Sequence, residues 1–224
     1  MLIWVVDGKP TVWVQAWGGT DPIPGVDDGG MKPKKTTPGR FIIQSRGPHS
    51  THKWPYSLIP WGTRLQVERR GRDHEGVVMY EAGMIHPRWR PVSSVIPHLT
   101  TAQLKKDYDD LYGKTGMYDD DRDGIPDRWV FNDFGPWAVR YYEDTNHDGR
   151  LDGKEALSGE MIHTTPEDEA ENAKGVRVSL GSSHGCIHVS PRGRDKMLAA
   201  GAFTKGTPLL IHTYEERLPA GWRP

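Results

Sequence analysis

The chain has 224 residues, 35% hydrophobic and 26% charged, with 26 glycines and 18 prolines, a composition that suits one core of short strands, turns and long loops rather than a helical bundle. Acidic and basic residues nearly cancel at a formal net charge of -1, so the broad positive field that nucleic-acid binding needs is not expected. The single cysteine, Cys186, excludes an intrachain disulfide and leaves a thiol available for chemistry.

Five apolar residues, Leu2 to Val6, precede Asp7. That run is too short for the core of a secretory signal and far too short for a membrane span, so an export signal is expected to be absent or already removed. The same run reads as a strand, joined to a second over residues 11–17 by the turn-forming Asp7-Gly8-Lys9-Pro10. Residues 18–38 carry glycine, proline and charge without periodicity and read as an exposed loop. Strand character returns over residues 40–44, and then over 64–68 and 76–81 on either side of the turn Arg-Arg-Gly-Arg-Asp-His-Glu-Gly.

Thr101–Tyr112 is the clearest helix: Leu104, Tyr108, Leu111 and Tyr112 share one face, Thr100 or Thr101 can cap the start, and Gly113 stops it. Residues 137–142 and 160–164 read as strands bracketing an acidic loop. Residues 166–172, Pro-Glu-Asp-Glu-Ala-Glu-Asn, read as an acidic loop insert, residues 191–200 as a short helix and residues 207–212 as a last strand. No linker divides the chain, so a single domain over 1–224 is expected. Nine tryptophans are many for this length. Trp54 and Trp61, near prolines in loop-like stretches, either pack loops onto the body or line a groove that binds a sugar or peptide.

The most informative stretch is Gly181-Ser182-Ser183-His184-Gly185-Cys186-Ile187-His188-Val189. A cysteine after glycine and before a strand-like segment can sit at a tight turn whose backbone N–H groups suit an oxyanion hole. A free thiol is mostly protonated at neutral pH and needs a base. His163, in the strand-like Met161-Ile162-His163-Thr164, can accept its proton and later return it to a leaving amine. Zinc is a competing reading of His163, His184, Cys186 and His188, although neither Cys-x-x-Cys nor His-Glu-x-x-His spacing is present.

These residues resemble the catalytic domain of the L,D-transpeptidases (YkuD type), whose signature is a histidine on one strand followed by Ser/Thr-His-Gly-Cys and a hydrophobic residue. Ser183-His184-Gly185-Cys186-Ile187 matches it residue by residue. Thr37-Pro38-Gly39-Arg40-Phe41 is similar to the family's strand entry, one residue short, and Gly206-Thr207-Pro208-Leu209-Leu210-Ile211 to its closing strand. The resemblance implies a mainly-β, YkuD-like sandwich with one or two short helices and long loops. It implies Cys186 as nucleophile, His163 as base, the Thr164 carbonyl orienting the imidazole, and Gly185, Cys186 and His184 around the oxyanion. Ser183 would contact substrate; His188, standing where the family usually has Asn or Arg, would either contact substrate or merely hydrogen-bond a loop.

The implied reaction is acyl transfer on peptidoglycan stem peptides in the cell envelope, with carbapenem sensitivity and no cofactor for catalysis. Water in place of an amine would make the same site an L,D-carboxypeptidase. A delivered toxin exchanging or trimming stem peptides would use it too. The reading from a different class is a calcium-stiffened wall-binding module with an inert cysteine.

Two acidic loops stand apart from this resemblance. Residues 144–155 match the twelve-residue EF-hand loop: Asp144, Asn146, Asp148 and Asp152 offer side-chain oxygens, Gly149 the turn, Arg150 a backbone carbonyl and Glu155 the closing carboxylate. In the other loop, within residues 117–133, Asp119, Asp121, Asp123, Ile125 and Asp127 resemble the first half, but Val130 holds the twelfth position, leaving Asp127 or Asp133 as substitutes. Structural calcium is therefore expected at the second loop and is a candidate at the first, fixing the strand that carries His163; the bland alternative is a pair of solvated acidic turns.

Overall fold

The computed structural model describes residues 1–21, 34–69, 76–83, 85–220 and 222. Most of the loop expected over residues 18–38, and the turn expected after residue 69, lie outside the described residues. Strands take 32% of the chain and helices 19%, which makes the fold mainly β. No helix among the described residues is long and apolar enough to cross a membrane.

In chain order the strands are β1 (Leu2–Val6), β2 (Lys9–Val14), β3 (Ala16–Trp17), β4 (Gly39–Gly47), β5 (Leu65–Arg69), β6 (Gly76–Ala82), β7 (Arg88–Pro91), β8 (Ala138–Glu143), β9 (Ala156–His163), β10 (Ile187–Val189) and β11 (Pro208–Ile211). The α-helices are α1 (Thr101–Tyr112), α2 (Pro166–Ala173) and α3 (Pro191–Ala199). Contacts gather these elements into two compact units. One comprises Met1–Gly47, Ala138–Thr164 and Val178–Pro224, the other Pro48–Trp137 and Thr165–Arg177. Each is assembled from separated segments, so no stretch of sequence reads as a linker between them.

The first unit holds a six-stranded sheet in the order β11-β4-β8-β9-β10-β3. Every pairing in it is antiparallel except that of β9 with β10. Phe41, Ile42 and Ile43 of β4 are buried in succession, so both faces of that strand are covered. With Val139, Tyr141, Ile162, Val189 and Met197 they make up much of the core, each large aliphatic side chain contributing about 1.5–3 kcal/mol by leaving water. The β1–β2 hairpin turns at Asp7 (φ 50°) and Gly8 (φ 73°), the paired positive values a two-residue type I′ turn requires. Helix α3 packs on β2. It starts at Ser190, whose side chain accepts from the Gly193 N–H, with Pro191 in the first turn where a missing N–H costs nothing.

The second unit packs the antiparallel sheet β5-β6-β7 with α1 and α2 around an aromatic core. Leu104, Tyr108 and Tyr112 of α1 are buried in it, and Thr100 caps the helix by accepting from the Gln103 N–H. Trp129 is fully buried, edge-on to Tyr56 and Phe131, and its Nε1 donates to the Tyr56 carbonyl at 3.0 Å. Asn132 ties down the neighbouring chain, its Nδ2 donating to the carbonyls of Ser57 (3.2 Å) and Ile59 (3.1 Å).

Two elements correct the sequence reading. Residues 166–172, expected as a loop, lie in α2. Thr165 and Asp168 close a reciprocal capping box there, and Pro166 occupies the first turn. Residues 88–91 form β7, a strand that the sequence reading does not contain. Pairing with β6 supplies the order that an Arg-Trp-Arg-Pro segment does not promise by propensity.

Candidate active site

Strands β9 and β10 run parallel, with Ile162 opposite Ile187 and His163 opposite His188. The two imidazoles face the same side, 4.8 Å apart between ring centres at 71°. Cys186 immediately precedes β10, next to Ile187, which pairs with Ile162, the residue before His163. Nucleophile and base candidates, distant in sequence, thus stand on adjacent strands of one unit.

His163 is buried, and its Nδ1 lies 2.8 Å from the Thr164 carbonyl oxygen. A carbonyl only accepts, so this contact requires the proton on Nδ1 of the neutral ring and makes Nε2 the acceptor. His188 is also buried, and its Nδ1 lies 3.2 Å from the Gly181 carbonyl oxygen. It therefore holds the start of the cysteine loop onto the strand.

The turn before the cysteine depends on two side chains. Ser183, expected at the substrate, is buried; its Oγ donates to the Cys186 carbonyl and accepts from the Gly185 N–H at 3.2 Å. The Gly185 N–H, expected at an oxyanion, is thereby directed into the turn. Gly185 itself sits at φ 111°, where a Cβ would meet Lys34 Cε at 2.7 Å and Glu160 Oε1 at 3.0 Å. The positive φ favours glycine at this position, and a Cβ would also push aside the ends of the Lys34 and Glu160 side chains.

Glu160, on β9, is a member of the site that sequence reasoning missed. It is buried and accepts from Lys34 Nζ (2.7 Å), Thr37 Oγ1 (2.8 Å) and the Thr37 N–H (3.1 Å). A glutamate beside the apolar Met161-Ile162 was the available signal, but nothing local identifies partners more than a hundred positions away. Burial, foremost, pushes the Cys186 thiol up to about 11; the Met161 N–H and Lys34 pull it down while Glu160 pushes it further up. The residue as a whole keeps partial exposure although its sulfur is densely surrounded. The resting nucleophile is therefore a neutral thiol.

Trp54 and Trp61 belong to the second unit. Trp61 packs against the aromatic core, and Trp54 immediately precedes the short helical turn Pro55–Leu58, its carbonyl accepting from the Ser57 N–H. His184 is half-buried in the cysteine loop.

The two acidic loops share one backbone. Arg122 and His147, each fourth in its loop, have φ 59°, and a glycine follows two places later. In both, the first aspartate accepts from that glycine's N–H, at 3.0 Å for Asp119 and 3.2 Å for Asp144. In both, the fifth residue accepts from the seventh at 2.8 Å, Asp123 from Ile125 and Asp148 from Arg150. The oxygens of Asp119, Asp121 and Asp123 come within 4.8 Å of one another, the one such cluster of three carboxylates among the described residues. In the second loop Asn146 stands in the middle of the corresponding series.

No protein-family model, no curated protein and no solved structure matches the chain, so the functional reading rests on the site.

Proposed function

We propose that this protein is a cysteine acyltransferase of the L,D-transpeptidase type, acting in the cell envelope on peptidoglycan stem peptides. The observation that supports the reading is the parallel β9–β10 pair, which brings the residue after Cys186 beside the residue before His163, with the imidazole held through Nδ1 by the Thr164 carbonyl. The Ser183-His184-Gly185-Cys186 sequence adds the resemblance that specifies the substrate class.

Cys186 Sγ attacks the carbonyl between the stem diamino acid and the terminal D-alanine while His163 Nε2 takes the thiol proton. A neutral resting thiol makes this transfer part of the attack rather than a preceding ionisation. The carbonyl oxygen becomes an oxyanion facing the Cys186 backbone N–H and His184. As the tetrahedral species collapses the C–N bond breaks, His163 returns the proton to the departing amine, and D-alanine leaves behind a thioester. An amine of a second stem then attacks, losing its proton to His163; the C–S bond breaks and sulfur recovers a proton. Water in the amine's place gives the carboxypeptidase outcome from the same site.

Mass spectrometry of the protein after incubation with a disaccharide-tetrapeptide, and separately with a carbapenem, tests the proposal. It predicts a covalent adduct on the peptide bearing Cys186, absent in Cys186→Ala. Folded protein that binds sacculi yet forms no adduct would overturn it.

A further inference from the structure

Loop 144–155 joins β8 to β9, and its first and last residues lie just beyond the final cross-strand pair, Glu143 with Ala156. Asp144 is 5% exposed and Glu155 8%, so two buried carboxylate residues flank the neck of one hairpin. One oxygen of each is satisfied within the loop: Asp144 Oδ2 by the Gly149 N–H (3.2 Å), Glu155 Oε2 by the N–H groups of Asp152 (3.1 Å) and Gly153 (2.9 Å). These bonds turn both groups into the loop. The other oxygens, Asp144 Oδ1 and Glu155 Oε1, are buried with no hydrogen-bond partner. An unmet carboxylate oxygen is costly in the interior, and this loop holds two.

We infer that loop 144–155 binds a calcium ion through Asp144 Oδ1, Glu155 Oε1 and the oxygens of Asn146, Asp148 and Arg150, and that the ion clamps β9 to β8. Oxygen donors from an irregular loop, mixing carboxylate, amide and backbone carbonyl, suit the flexible six-to-eight-fold coordination of calcium better than the strict octahedron of magnesium. The mechanical target is near, because β9 starts at the residue after Glu155 and carries Glu160 and His163. Asp144 is also fixed on its other side, its N–H donating to the Arg40 carbonyl of β4 at 2.9 Å. An ion at the neck would therefore lock the register of the strand bearing the base, whose misplacement by a fraction of an ångström slows proton transfer.

The inference is independent of the acyl-transfer reading, since an inert Cys186 would leave its measurements unchanged. Titration calorimetry of the full chain with calcium chloride, and in parallel with magnesium chloride, is compared for wild type, Glu155→Gln and Asn146→Ala. Asn146 is exposed, so its variant keeps the test open if Glu155→Gln fails to fold. The expected result is calcium binding stronger than magnesium binding and weakened at least about tenfold in each variant. At calcium a hundredfold above Kd the wild-type melting midpoint rises by roughly 5–10 °C. Amide exchange over residues 160–163 slows at least about tenfold in calcium, as expected when an open state is suppressed. Absence of calcium binding at millimolar concentration, or binding that survives undiminished in the variants, overturns the site. Binding that leaves exchange in β9 unchanged overturns the clamp.

Discussion

Loops 119–130 and 144–155 have the same backbone and opposite endings. In the first, both oxygens of Asp119 accept loop N–H groups, from Asp123 (3.1 Å) and Gly124 (3.0 Å), and Asp127 accepts from the Asp120 N–H at 2.8 Å. Lys105 of α1 donates its ammonium to the Asp123 carbonyl, and the twelfth residue, Val130, is buried in the aromatic core. In the second, Glu155 closes the loop and two buried oxygens are left unanswered. A shared acidic pattern thus ends differently in the two loops: both oxygens of Asp119 are met by the loop's own amides, whereas Asp144 Oδ1 and Glu155 Oε1 are not.

The largest predicted effect concerns the Cys186 thiol. Cys186→Ala abolishes acylation, and His163→Gln slows it by about 10²–10⁴-fold, read from the rate of adduct formation. Gly185→Ala follows: the positive φ and the contacts with Lys34 and Glu160 cost about 1–3 kcal/mol, and acylation falls with the displaced turn. Denaturant titration and adduct kinetics on one sample measure both.

The next prediction sets the loops directly against each other. In calcium, Glu155→Gln lowers the melting midpoint by several degrees, whereas Asp121→Ala moves it by less than about 2 °C. Equal shifts would erase the contrast between them.

Asp133 tests it from the other side, being a second-unit carboxyl with one oxygen, Oδ2, buried and unpartnered. Burial pushes this group up to about 6, above its unfolded value. The stability it contributes is therefore present below the unfolded value, near pH 4, and lost as pH rises through 6. Asp133→Asn should stabilise the protein at pH 7 by about 1–3 kcal/mol and make little difference at pH 4. A loss of stability confined to calcium-containing buffer would instead give Asp133 a ligand's role in the first loop.

Much of the architecture was legible because periodicity is local. The α1 face, the Asp7-Gly8 turn and strands β1, β4, β8 and β11 follow from patterns a few residues long. Helix α2 was missed because its acidic sequence has almost no apolar stripe, although the cap Thr165-Pro166-x-Asp168 was in plain view. The division into two units was illegible because each gathers segments from both sides of the other. In the site, Cys186, His163 and the closing Glu155 carried recognisable spacing. The dependence of Glu160 on Lys34 and Thr37, of the cysteine turn on Ser183, and of the first loop on Lys105 arises from contacts that residue order does not encode.

The most direct test of the central claim is the rate of carbapenem acylation of Cys186 from pH 5 to pH 10, in wild type and in His163→Gln. With His163 as the base, the wild-type rate at neutral pH exceeds the variant's and depends on pH less steeply. Without it the rate is lower and climbs roughly tenfold per pH unit across the range, because the thiol titrates only near 11. Superimposable profiles for the two proteins would show that the imidazole takes no part, and would contradict the account.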